Sequence, residues 1–113
     1  MAIAPRAPLS KVVFVHDYFQ LVFQGETLSV YNQASVHRGS AVFAHGEPGF
    51  FDALLQLIGQ QATATPAQPG IMLALRFTSG TELRVQDGGA SPAQLEGFSF
   101  SGHAGAFVVG HNQ

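Results

Sequence analysis

The chain has 113 residues, enough for one domain with an ordinary core and too few for two independent ones. Hydrophobic residues make up 46% but charged residues only 11%, less than half of the roughly 25% usual in globular proteins, so part of the surface is expected to be covered by a second copy of the chain or by another protein. A net charge of −2 with five scattered Lys and Arg argues against nucleic acid as a partner, and the lack of cysteine rules out disulfides and thiolate metal sites.

Residues 1–10 read as a flexible N-terminal arm, because Pro5 and Pro8 deny it regular structure. The same prolines interrupt the apolar run of about 7–15 residues that a signal peptide needs. No stretch approaches the roughly 18 apolar residues of a membrane span, so a cytoplasmic protein without membrane contact is expected. Residues 11–113 then read as a single α+β domain. Its first element is "KVVFV" (11–15), apolar and β-branched, the pattern of a buried strand.

"HDYFQLVFQGETLSVYN" (16–32) places two alternating apolar runs around a glycine turn, a β-hairpin. A two-residue loop at Gly25-Glu26, with Gly25 at the positive-φ position of a type II′ turn, pairs Phe23 with Leu28 and Leu21 with Val30. Phe19 falls on the same apolar face. The opposite face carries Tyr18, Gln20, Val22, Ser29 and Tyr31. It is amphipathic rather than charged, and Tyr18, Gln20, Val22 and Tyr31 are the candidate partner-binding residues, with a homodimer as the expected assembly.

Residues 33–46 carry no settled assignment, although "AVFAH" has the pattern of a short strand between turns at Gly39 and Gly46. In "GEPGFFDALLQLIGQQ", Phe50, Leu54, Leu57 and Ile58 follow helical spacing, and Phe51 and Leu55 widen the stripe. Pro48 suits a first turn and Gly59 a stop, so one main α-helix is predicted over about 48–58. "QATATPAQPG" (61–70) reads as a linker of small residues and prolines.

"IMLALRFTSGTELRV" is a second hairpin. A three-residue loop at Ser79-Gly80-Thr81 pairs Phe77 with Leu83 and Leu75 with Val85. That register sets Arg76 opposite Arg84 on the outer face, with Glu82 diagonal to them. The two guanidinium forks are a weaker candidate contact for an anionic partner group, and an Arg-Glu-Arg surface ladder is the simpler account. "FSFSGHAGAFVVG" gives a third hairpin, in which a loop from Gly102 to Gly105 pairs Phe100 with Phe107 and Phe98 with Val109. The whole is an antiparallel sheet built from successive hairpins, with the helix packed on its apolar face.

Catalytic motifs are missing. The five histidines, at 16, 37, 45, 103 and 111, have no metal-binding spacing. His16 and Asp17 are neighbours, but adjacent strand residues point to opposite faces. No cofactor, metal or catalytic residue is assigned.

Together, "VHDYFQLVFQGETLSVYN" and "LALRFTSGTELRV" resemble the paired hairpins of small, largely uncharacterised bacterial cytoplasmic proteins, some grouped with toxin-immunity proteins. That resemblance covers about a third of the chain and implies a binding role without any site motif. A non-enzymatic protein-interaction domain is therefore the expected function. A small-molecule binding domain with a pocket between helix and sheet is the second reading, and a small hydrolase or metal enzyme the third.

Overall fold

The structure is a computed structural model, which describes residues 5–16, 18–66, 68–87, 96–101 and 107–111, with Glu96 and the last five by their backbone only. Its strands are β1 (Lys11–Val15), β2 (Tyr18–Val22), β3 (Thr27–Val30), β4 (Ala34–Arg38) and β5 (Ala41–Ala44). After α1 (Phe50–Leu55), the one helix among the described residues, come β6 (Ala62–Thr65), β7 (Ile71–Phe77), β8 (Glu82–Gln86), β9 (Glu96–Ser101) and β10 (Phe107–His111). They form two five-stranded antiparallel sheets, A in the order β1-β2-β3-β9-β10 and B in the order β5-β4-β8-β7-β6. Among the described residues no helix is long and apolar enough to cross a membrane.

The antiparallel, hairpin-by-hairpin plan is the expected one, but what covers the apolar faces is not. Phe19, Leu21, Phe23, Leu28, Val30, Phe98 and Phe100 from sheet A share one buried cluster with Val36, Leu73, Leu75, Phe77, Leu83 and Val85 from sheet B. Each sheet is thus the other's cover, as in a sandwich. The six-residue α1 is too short to cover a five-stranded sheet. It contributes Phe50, Ala53 and Leu54, with Leu57 just beyond it, and contacts β1, β4 and β5. It therefore closes one side of the sandwich, between an edge strand of each sheet.

The first two of the expected hairpins are shifted by two residues from the expected register. In the first, Leu21 pairs with Leu28 and Phe19 with Val30. Its two-residue loop is Gln24-Gly25, both at positive φ (46° and 81°), and Phe23 N–H donates to Glu26 O at 2.7 Å. That is a type I′ turn, whose twist matches the strands. The second pairs Leu75 with Leu83 and Arg76 with Glu82. Its loop is Thr78-Ser79-Gly80, with Gly80 at φ 92° and Phe77 N–H bonded to Thr81 O at 2.8 Å. A slip of two keeps every side chain on its face, so apolar pairing alone does not distinguish these registers. The third hairpin is shifted by one, pairing Phe107 with Ser101 and Val108 with Phe100, while its expected loop at 102–105 lies outside the described residues.

The strand expected in "AVFAH" is β5, and the unassigned residues before it form β4, which pairs with β5 and joins β8 in sheet B. Other segments differ from expectation. The supposed linker contains an edge strand, β6, paired with β7. β1 is an edge strand with Phe14 and Val15 exposed, not a buried one. Of the expected arm, residues 5–10 lie against the fold. Leu9 is 1% exposed and bonded through its backbone to Gly59 and Gln60, and Arg6 N–H donates to the buried Glu26 carboxylate.

Candidate functional site

On the outer face of sheet A, alternation brings Tyr18, Gln20 and Val22 of β2 beside Ser29 of β3 and Ser99 of β9, with Gln20 opposite Ser29 and Ser29 opposite Ser99. The Tyr18 and Tyr31 rings lie 5.2 Å apart. Gln20 Nε2 donates to Ser29 Oγ at 3.0 Å, and the Tyr31 hydroxyl bonds Ser99 Oγ at 3.2 Å. The four candidate residues thus share one face with Ser29, as their alternation predicts, and the structure adds Ser99 to it. All four are half-buried, and the polar tips of Gln20 and Tyr31 are bonded within the chain.

The outer face of sheet B carries the candidate arginines. Two cross-strand rows run over it, Ser35–Arg84–Ala74–Thr65 and His37–Glu82–Arg76–Thr63. Arg76 therefore opposes Glu82, and the expected Arg76–Arg84 opposition does not occur. Glu82, 14% exposed, accepts from Arg84 Nε at 2.5 Å and lies 3.9 Å from Arg76 Nη2. Beside them, Ser35 Oγ and His37 Nε2 are 2.8 Å apart. Burial holds the His37 pKa below its usual value, the Arg84 charge adds to that, and Glu82 opposes it.

His45 stacks on Phe50 at 5.0 Å and meets Phe19 edge-on, a packing role, and His16 is exposed. The side chains of His103 and His111 lie outside the described residues, as does Asp17. Among the described residues no group of three or more His, Cys, Asp or Glu side chains could hold a metal ion.

A third surface escaped the sequence reading. Phe51, Leu55 and Ile58, expected in the core, are 48%, 44% and 43% exposed. Phe50, Ala53, Leu54 and Leu57 occupy the inward stripe at i, i+3, i+4 and i+7, leaving Phe51, Leu55 and Ile58 as a second stripe at i, i+4 and i+7. Phe14 of β1, 43% exposed, packs on Phe51 with ring centroids 4.4 Å apart. Because Leu9 is bonded to residues 59 and 60, the stripe runs alongside β1 from Phe14 back towards Leu9. The signal was present as a second helical periodicity, with Ala53 in place of Ile58 on the inner face.

The space between α1 and the sheets is filled by Phe50, Leu54 and Leu57, each at most 1% exposed. A dent of about 220 Å³ remains at its rim, lined by Arg38, Gln56, Gln60 and Ser79 among others. No family model, curated protein or solved structure matches this chain.

Proposed function

We propose that the chain is a non-enzymatic protein-interaction domain, docking through the apolar stripe of α1 and the adjoining Phe14. One observation carries this reading. Four large apolar side chains, each more than two-fifths exposed, lie side by side in a chain with few charges to solvate its surface. A second copy of the chain suits that surface, because an apolar stripe is self-complementary about a two-fold axis. The immunity-like role implied by the hairpin resemblance is the same contact made with a different protein. Ser35, the hydroxyl residue bonded to His37, is only 6% exposed and leaves a substrate little surface to reach, which supports the non-enzymatic reading.

The outer face of sheet A is the second reading, favoured by the paired Tyr18 and Tyr31 rings. Light scattering on Leu55→Lys and Val22→Lys, each with a melting curve, separates the two. The α1 reading expects an associating parent, a folded monomer for Leu55→Lys and an unchanged assembly for Val22→Lys. The reverse pattern transfers the interface to sheet A. A parent that stays monomeric rejects the homodimer.

A further inference from the structure

Two of the chain's five Lys and Arg residues stand together on sheet B, beside a cleft that the interaction reading leaves unused. The row Ser35–Arg84–Ala74–Thr65 loses its bulk at Ala74, which is 4% exposed yet lies outside the core cluster, as the floor of a surface depression would. Above it opens a cleft of about 230 Å³, bounded by Arg76, Arg84, Thr65 and Gln68 among others. We propose that this cleft binds the phosphate group of a small molecule through Arg76 and Arg84.

The charge arrangement supports an anion. Glu82 lies low in the cleft at 14% exposure and ties both arginines, whose side chains are 62% and 36% exposed, so an incoming ligand meets guanidinium before carboxylate. Two positive charges and one negative leave a net +1. Arg84 is bonded to Glu82 through Nε, so both of its terminal nitrogens remain for a ligand. Arg76 lies at 3.9 Å, a loose contact that leaves its fork available.

The donor set favours phosphate over carboxylate. The Thr65 hydroxyl at the rim already donates to Ala74 O at 3.5 Å, so the donors are the two guanidinium forks, which outnumber the two oxygens of a carboxylate and suit the three terminal oxygens of a phosphate. The volume is that of about seven or eight waters, at roughly 30 Å³ each, which accommodates a phosphate with a short stem.

The test is an amide NMR titration of the labelled protein with inorganic phosphate and with glycerol 3-phosphate, using acetate and glycerol as controls. Saturable shifts are expected at residues 63–76 and 82–84, with glycerol inert and acetate at least tenfold weaker. Tighter binding of glycerol 3-phosphate than of inorganic phosphate assigns a monoester as the ligand, and the reverse assigns free phosphate. The Arg76→Gln/Arg84→Gln double variant should weaken binding at least tenfold. Ala74→Leu, which fills the cleft while keeping both guanidiniums, should do the same. Shifts that do not saturate, equal binding by acetate, or undiminished binding by either folded variant would overturn the proposal. If both variants fail to fold, competition between phosphate and acetate on the parent decides.

Discussion

Replacing Leu54 with Ala tests how α1 is seated between the sheets, and Leu55→Ala is its internal control. Leu54 is 0% exposed and clusters with Phe50, Leu57 and the strand residues of both sheets, whereas Leu55 is 44% exposed. Both positions lie in the same helix, and leucine and alanine are both good helix formers, so propensity effects largely cancel in the comparison. The transfer term for the three carbons removed from Leu54 is about 2.4 kcal/mol, and the cavity term raises the expected loss to about 2–5 kcal/mol. For a chain of this length a loss of about 3 kcal/mol lowers Tm by roughly 12 °C. Leu55→Ala should cost less than about 1 kcal/mol. Urea denaturation with an unchanged slope measures both. A Leu54→Ala loss under about 0.5 kcal/mol, or a Leu55→Ala loss of equal size, would refute this seating of the helix.

Gly97 sits where sheet A meets Met72 of β7. A methyl group there would overlap the Met72 sulfur and stand 2.9 Å from Asn32 Nδ2. Gly97→Ala should cost about 1–3 kcal/mol, and adding Met72→Ala should recover part of that loss in a double-mutant cycle, whereas strictly additive losses would refute the contact. The lowered pKa of His37 gives a pH dependence with a definite sign. Below about pH 6.5 the unfolded chain takes up a proton at this residue that the folded chain resists, so its contribution to stability is lost as pH falls. His37→Gln should flatten the stability profile over that range, and a variant profile parallel to the parent's would refute the assignment.

Much of the strand plan was legible because alternation is a local property. Phe19, Leu21, Phe23 and Leu28 face the core as their period-2 spacing requires, and so do Leu75, Phe77, Leu83 and Val85. Turn geometry was less legible. Moving the first loop from Gly25-Glu26 to Gln24-Gly25 leaves every inward residue inward, so hydrophobic pattern cannot choose between them. The choice matters at the candidate anion site, because the same two-residue shift in the second hairpin turns an Arg76–Arg84 opposition into an Arg76–Glu82 pair. β6 went unseen because "ATAT" carries little hydrophobic signal, yet its backbone completes the edge of sheet B.

Local pattern was enough to show which side of each major strand is apolar, that the strands turn back on themselves, and that a helix lies within 48–58, of which Phe50–Leu55 is helical. What those faces meet is settled by contacts between distant segments. Pairing between β3 and β9, and between β4 and β8, joins segments far apart in the chain, and no local periodicity records such partners. Once two sheets covered each other, α1 needed to bury only one narrow stripe, and Phe51, Leu55 and Ile58 were left facing outward. The helical period marks those residues as apolar and aligned. Whether such a stripe becomes core or contact surface depends on how much of the helix the surrounding strands leave room to bury.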